Sequence, residues 1–211
     1  MKYKAVIFDL DGVICHTDRY HYMAWKKLAD KIGVYFDEQI NNRLRGVSRM
    51  ESLEIILERW QGEPLSEEEK VRLAEEKNSL YRDFLRQMSP KDLSQEVKDT
   101  LDSLKMNGLK LAIGSSSKNT RFILEQIGLG DYFDAVSDGN NITRSKPYPD
   151  VFQTAARYLN IEASGCLVVE DARSGIDAAA AAGMDSTALG DAYGYSKATY
   201  NLSNFMQMLK V

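Results

Sequence analysis

Residues 5–12 of the chain, AVIFDLDG, decide how the rest of the sequence is interpreted. Four apolar residues follow one another without polar alternation, which is typical of a strand buried on both faces of a parallel sheet. Asp9 and Asp11 stand at its carboxyl end, where such sheets place their chemistry, and Gly12 lets the backbone turn sharply after them. Taken alone, the same residues favour an ordinary acidic turn, because Asp and Gly are common in turns.

Further apolar runs predict the other strands of the sheet. They lie at 109–114, 133–137, 166–169 and 185–189, and segments with helical apolar spacing separate them. Strands that alternate with helices predict an α/β fold with a doubly wound, Rossmann-like parallel sheet. A last helix is predicted after Ser203, which is placed at its N-cap.

The segment 17–92 contains no convincing strand pattern and predicts about four helices. Thr17 or Asp18 can begin the first helix and Ser48 a later one, while Ser66 with Glu69 three residues on forms a capping box. The sequence therefore predicts a catalytic α/β core at 1–16 and 93–211. It also predicts an all-helical domain at 17–92, inserted after the first strand and expected to fold as a lid over the strand ends.

Composition and charge narrow the class of protein. The 211 residues are 44% hydrophobic and carry a net charge of -4, which argues for a globular chain and against nucleic-acid or anionic-membrane partners. No apolar run approaches the length of a membrane helix, and the early first strand leaves no room for a secretory signal. Cys15 and Cys166 are far apart in sequence, so we expect free thiols and a cytoplasmic, monomeric protein.

Acidic residues follow two of the predicted strands. Asp9 and Asp11 follow the first strand, and Glu170 and Asp171 follow the strand at 166–169. Four carboxylates at one edge of a sheet would repel one another strongly, and a hard divalent cation would relieve that repulsion. Mg²⁺ prefers oxygen ligands and keeps positions open for water and phosphate, so these residues predict a magnesium site.

Residues suited to phosphate complete the pattern. Ser115 and Ser116 follow the strand at 109–114, and Lys146 precedes a helix. Each has an ordinary alternative, since serines often cap helices and lysines are usually on the surface. Their occurrence together with the carboxylates is better explained by a site for a phosphoryl group.

These clusters, in this order, resemble the signature of the haloacid dehalogenase-like phosphotransferases: a DxDG motif, a Ser or Thr, a Lys and an acidic pair. The resemblance covers nearly all of the chain, with the helical insertion at the position of the small cap of that family. It implies that Asp9 is the nucleophile that becomes an aspartyl-phosphate and that Asp11 is the general acid and base. It also implies that Ser115 and Lys146 hold the transferring phosphoryl group. The implied Mg²⁺ ligands are Asp9, Asp11 through its backbone, Glu170 and Asp171.

Residues 17–21, 45–49 and 115–119 together are similar to the β-phosphoglucomutases, a branch of that family. The resemblance implies that Arg49 grips the second phosphate of a sugar bisphosphate, for which its planar guanidinium is suited. It implies that His21 hydrogen-bonds Asp11 and that Thr17 lies in a hinge. The implied substrate contacts are Arg45, Gly46, Val47, Arg49, Ser52, Lys77, Ser116, Ser117 and Asn119.

Some of these positions have a plainer interpretation. His21 is alternatively a half-exposed helix histidine, and Lys77 is alternatively part of a solvated charge run with Glu75 and Glu76. Arg45 departs from the Lys common in relatives, although the charge is kept. The segment 190–200, which is shortened, is expected to lie far from the chemistry.

The resemblance implies a mutase that interconverts β-D-glucose 1-phosphate and glucose 6-phosphate through β-glucose 1,6-bisphosphate. A magnesium-dependent sugar-phosphate phosphatase on the same scaffold is the alternative. A non-catalytic binder of phosphorylated ligands is disfavoured because Asp9 and Asp11 are both intact.

Overall fold

The computed structural model describes residues 2–44 and 47–211, and the chain divides into two compact units. One unit consists of residues 1–16 and 88–211, and the other is the inserted segment Thr17–Gln87. They are called the α/β unit and the helical unit below. Residues 88–92 group with the α/β unit rather than with the insertion, where the sequence pattern put them. Pro90 lies against Gly128, because an ideal Cβ on that glycine would be 3.5 Å from the Pro90 Cγ.

The α/β unit is built on a parallel sheet, as the sequence predicts. Its described strands are β1 (Ala5–Phe8), β2 (Lys110–Gly114), β3 (Ala135–Ser137), β4 (Cys166–Glu170), β5 (Asp185–Ala188) and β6 (Tyr200–Asn201). Their order is β3-β2-β1-β4-β5-β6, and every neighbouring pair is parallel. Phe8 lies opposite Ile113 on one side and Val169 on the other, so β1, β2 and β4 end at the same edge.

Both faces of the sheet are covered, which explains the uninterrupted apolar runs. The described helices are α1 (Asp18–Lys31), α2 (Glu38–Asn42), α3 (Arg49–Leu57), α4 (Glu67–Leu85), α5 (Gln95–Met106), α6 (Thr120–Gln126), α7 (Asp150–Leu159) and α8 (Arg173–Ala181). On one face Ile7 shares a buried cluster with Phe152 of α7 and Ala178 of α8. The next residue, Phe8, instead contacts Phe205, with 5.7 Å between ring centroids. Alternate residues of β1 are therefore buried on opposite faces.

The described part of the helical unit holds α1 to α4 around its own apolar core. Trp25, Leu28, Phe36 and Leu53 belong to that core, and each is at most 2% exposed. The capping box predicted at Ser66 is present, and so is the N-cap predicted at Ser48. Serine at these positions begins α4 and α3 because its hydroxyl accepts a bond from an otherwise unpaired backbone N–H.

The carboxyl terminus differs from the sequence prediction. The last helix is a 3₁₀ helix at Phe205–Lys210, and Asn204 rather than Ser203 is its N-cap. The Asn204 side chain accepts a bond from the Gln207 N–H at 3.2 Å. β6 was not predicted because a strand of two residues carries no periodic signal. Among the helices in the described ranges, none is both long and apolar enough to cross a membrane.

Candidate active site

The strand order brings three predicted site residues to one edge of the sheet. Asp9 directly follows β1, Ser115 directly follows β2, and Glu170 is the last residue of β4. Asp9 continues the ladder by donating its N–H to Val169 O at 2.9 Å. Because β1 lies between β2 and β4, its carboxyl end is flanked by groups from both neighbours.

Lys146 lies among these residues and joins two of them. Its ammonium group forms ion pairs with Asp9 Oδ1 and Glu170 Oε1. The three side chains are 7%, 10% and 1% exposed, so the contacts are shielded from water. Burial disfavours the charged ammonium, but the attraction of the two carboxylates outweighs it and raises the pKa of Lys146. Lys146 is therefore held as a cation beside Asp9.

Two glycines allow the acidic pair to pack this closely. An ideal Cβ on Gly12 would overlap the Asp171 carboxylate, and one on Gly175 would overlap that of Glu170. Gly12 also has φ +91°, which other residues rarely adopt. Burial, followed by repulsion from Asp9, Glu170 and Asp11, raises the pKa of Asp171 to about 8. Lys146 thus does not neutralise all of the negative charge at this edge.

The donor set has the chemistry of a hard divalent cation site. It consists of carboxylate oxygens, and the raised pKa of Asp171 reports charge that a cation would compensate. Within the described ranges, no three His, Cys, Asp or Glu side chains are gathered closely enough to hold a metal ion. Two of the four carboxylates face the Lys146 ammonium instead.

The segment after β2 folds into a compact turn. The Ser117 N–H donates to Ser115 Oγ at 3.2 Å, and the Asn119 N–H donates to Ser117 Oγ at 3.1 Å. Ser115 and Asn119 are buried. The Lys146 N–H donates to Ser116 Oγ at 3.4 Å, which ties this turn to the segment that carries the lysine. The structure therefore brings the predicted phosphate-binding residues together with Asp9 and Lys146.

The expectation that residues 190–200 lie far from the chemistry is wrong. The Leu189 N–H donates to Glu170 O at 2.9 Å, and Gly190 faces Asp171 so closely that its ideal Cβ would be 3.5 Å from the Asp171 Cβ. β5 pairs with β4, so the segment that follows β5 begins beside the acidic pair. The sequence signal was available in principle, since consecutive strands are usually adjacent.

Within the helical unit, Lys77 and His21 form a second polar cluster. Lys77 is 3% exposed, which rules out the solvated charge run considered from its neighbours. Its Nζ lies 2.9 Å from His21 Nδ1, and 4.7 and 4.6 Å from the ring centroids of Trp25 and Tyr81. An ammonium group cannot accept a hydrogen bond, so it donates to Nδ1, and His21 is neutral with its proton on Nε2. Burial and then the charges of Lys77 and Arg49 lower the pKa of His21 well below its usual value.

Helical spacing explains how this cluster forms. Thr17, His21 and Trp25 are four residues apart along α1 and its start, as are Lys77 and Tyr81 along α4, so each set shares one helix face. The two faces meet, and the Tyr81 hydroxyl donates to Thr17 Oγ1 at 2.8 Å.

The other predicted residues of the helical unit are also placed, apart from two. Arg49 donates to Asn78 Oδ1 at 2.9 Å, and burial lowers its pKa from the ordinary value. Ser52 is buried and Val47 is 39% exposed. Arg45 and Gly46 lie outside the described residues.

Comparisons with known proteins agree with this arrangement. The chain is 41% identical over 188 residues to the β-phosphoglucomutase of Bacillus subtilis, a match that covers 89% of this chain and 83% of that protein. It is 33% identical over 186 residues to the fructose-1-phosphate phosphatase of Escherichia coli, covering 88% and 95% of the two chains. The crystal structure of β-phosphoglucomutase from Clostridium difficile superposes with a TM-score of 0.89 at 40% identity, covering 98% of this chain and 93% of that one. The model of the haloacid dehalogenase-like hydrolases matches residues 3–183, and the chain belongs to that family.

Proposed function

We propose that the protein is a β-phosphoglucomutase, which interconverts β-D-glucose 1-phosphate and glucose 6-phosphate through β-glucose 1,6-bisphosphate. The observation that carries the proposal is the placement of Asp9, a nearly buried carboxylate, beside the Lys146 cation at the end of β1. Sequence identity of 41% to the Bacillus subtilis enzyme, over most of both chains, supports the choice of reaction.

Asp9 is the nucleophile in this proposal. One of its carboxylate oxygens attacks the phosphorus of the bound phosphate, the bond from phosphorus to the sugar oxygen breaks, and an aspartyl-phosphate forms. Asp11 donates a proton to the departing sugar oxygen, and takes one from the incoming hydroxyl when the phosphoryl group returns to the sugar. Lys146 and Ser115 hold the phosphoryl oxygens, for which a fixed cation and a buried hydroxyl are suited.

Members of the family that act as phosphomutases use a divalent metal, and we propose Mg²⁺ here. The ligands would be Asp9, the Asp11 backbone carbonyl, Glu170 and Asp171, an all-oxygen set that Mg²⁺ favours. The bound ion would neutralise charge on the phosphoryl group during transfer. The excess negative charge that raises the pKa of Asp171 supports this assignment.

We assign the second, non-reacting phosphate to the helical unit, which we take to be the cap domain. Arg49 is the proposed main contact, and Lys77 adds a second cation near His21. Coupling of His21 to Asp11 and a hinge at Thr17 stay predictions. The remaining proposed substrate contacts are Arg45, Gly46, Val47, Ser52, Ser116, Ser117 and Asn119.

We further propose that the enzyme works as a monomer in the cytoplasm on a small sugar phosphate. Cys15 and Cys166 are both free and buried, and burial raises the pKa of both thiols. Free thiols of this kind suit a reducing compartment.

A phosphatase is the second candidate, because a relative with 33% identity is a fructose-1-phosphate phosphatase. The two reactions separate by their products. The purified enzyme is incubated with Mg²⁺, β-glucose 1-phosphate and a trace of glucose 1,6-bisphosphate, and glucose 6-phosphate and inorganic phosphate are both measured. Glucose 6-phosphate as the main product supports the mutase, and inorganic phosphate as the main product supports the phosphatase. The α anomer serves as the substrate control, and Asp9→Asn, expected to abolish both products, serves as the enzyme control.

A further inference from the structure

The segment after β3 lies directly against the turn Ser115–Asn119 of the candidate site. β2 and β3 are neighbours in the sheet, so the segments that follow them start side by side. The Ser115 N–H donates to Ser137 O at 3.1 Å, which joins the two segments at their first residue. Neither the motif nor the helical spacing of the sequence indicates this contact.

Gly139 makes the closest approach between the two segments. Its N–H donates to Ser117 O at 3.1 Å. An ideal Cβ at this position would overlap Ser116 O and would lie 3.0 Å from the Lys118 backbone nitrogen. Both are backbone atoms of the turn, so a side chain here could be accommodated only by moving the turn itself.

Asn140 holds the turn from the same segment. Its side-chain Nδ2 donates to Lys118 O at 3.0 Å. Its own N–H donates at 2.8 Å to Oδ1 of Asp138, whose side chain is buried. Asn141 Oδ1 accepts from the Asp138 N–H at 3.1 Å, so the segment is braced internally before it contacts the turn.

We propose that Gly139 and Asn140 are positioning residues, which fix the backbone of residues 115–119 where Ser115 and Ser116 can bind the transferring phosphoryl group. The inference rests on the proposed function only in that those serines contact a phosphoryl group. Displacement of such groups by less than about 1 Å impairs catalysis strongly, because phosphoryl transfer depends on positioning. Gly139 acts by leaving room, and Asn140 acts by its bond to Lys118 O.

The test compares Gly139→Ala and Asn140→Ala with Gly130→Ala. Gly130 is the matched control, because its ideal Cβ would meet only Glu125, at an ordinary contact distance of 3.5 Å. The readouts are hydrolysis of p-nitrophenyl phosphate with Mg²⁺, calorimetric binding of inorganic phosphate, and thermal unfolding. We expect Gly139→Ala to lower kcat/KM at least about tenfold and to weaken phosphate binding, with Asn140→Ala a few-fold in the same direction. Gly130→Ala stays within about twofold of the unchanged chain.

Two results would overturn the inference. One is phosphate binding and hydrolysis by both variants within about twofold of Gly130→Ala, whatever their melting temperatures, because a structural role alone lowers only the melting temperature. The other is that the unchanged chain neither binds inorganic phosphate nor hydrolyses the probe. If Gly139→Ala does not fold, Asn140→Ala decides the matter, because Asn140 is exposed. Neither readout requires sugar isomerisation, so failure of the mutase assay leaves this test intact.

Discussion

The two units each hold a shielded lysine, and they hold it in opposite ways. In the α/β unit, the Lys146 ammonium lies between the carboxylates of Asp9 and Glu170. In the helical unit, the Lys77 ammonium donates to the neutral imidazole of His21 and lies over two aromatic rings. Carboxylate pairing raises the pKa of Lys146, whereas proximity of Lys77 contributes to lowering the pKa of His21.

This difference separates two ways of preparing a site for phosphate. The cluster at Lys146 fixes a cation beside a nucleophile and keeps an excess of negative charge, which suits a metal ion. The cluster of Lys77, His21, Trp25 and Tyr81 carries net positive charge, since ring faces stabilise a cation without neutralising it. Such a cluster suits an anionic part of the ligand that does not react. Four substitutions test the comparison.

The largest effect is expected for Lys146→Met. It leaves Asp9 and Glu170 buried without their counter-ion and removes the cation from the proposed phosphoryl site. We expect kcat/KM to fall at least about 10³-fold for isomerisation and for hydrolysis of p-nitrophenyl phosphate alike. Lys197→Met is the control, because its ion pair with Asp177 is largely exposed and contributes little. Retention of either activity would show that the ammonium at this edge is dispensable.

Lys77→Met is expected to affect one reaction only. Loss of the cation from the helical unit should lower isomerisation about 10- to 100-fold, while hydrolysis of p-nitrophenyl phosphate, which has no second phosphate, changes less than about threefold. Lys70→Met on the same helix is the control, because Lys70 pairs with Glu54 and Glu67 at the surface. An equal loss in both reactions would remove the distinction between the two clusters.

The third effect is a dependence of stability on pH. Folded His21 stays neutral because its pKa lies well below 6.5, while the unfolded chain protonates it near pH 6.5. The unfolded state therefore binds more protons below that pH, and the free energy of unfolding falls there by up to about 1.4 kcal/mol per pH unit. Denaturant unfolding between pH 7.5 and 5.5, about one pH unit either side of the histidine pKa, measures the slope.

His21→Gln should reduce that slope, and His16→Gln, at the exposed second histidine of the chain, should leave it unchanged. An unchanged slope in His21→Gln would mean that the imidazole is protonated in the folded protein. The bond from Lys77 to Nδ1 would then be wrong.

Tyr81→Phe should give the smallest effect. It removes the bond to Thr17 Oγ1 but keeps the ring beneath Lys77, so we expect a loss of about 0.5–1.5 kcal/mol in the free energy of unfolding. Tyr35→Phe is the matched control, because its bond to Asp37 Oδ2 is exposed and its loss should change stability by less than about 0.5 kcal/mol. Equal effects would indicate that the buried bond has no special weight.

Particular residues show how far sequence reasoning reached. The strands around Asp9, Ser115 and Glu170 were predictable because continuous apolar runs have few alternatives in a globular chain. Ser48 and Ser66 were predictable as N-caps because capping acts over three residues.

Other features could not be predicted in the same way. Glu75 and Glu76 made Lys77 look solvated, and its burial depends on which face of α4 meets α1. The closeness of Gly190 to Asp171 depends on the pairing of β5 with β4.

The sequence by itself determined the α/β class, the helical insertion and the chain order of the groups proposed for catalysis, because those depend on local periodicity and on motif chemistry. Only the tertiary structure decided that Lys146 sits between Asp9 and Glu170, that Lys77 is held by rings and a neutral imidazole, and that Gly139 backs the turn after β2. These contacts join residues far apart in the chain. Their geometry follows from strand order and helix packing, which local sequence patterns do not encode.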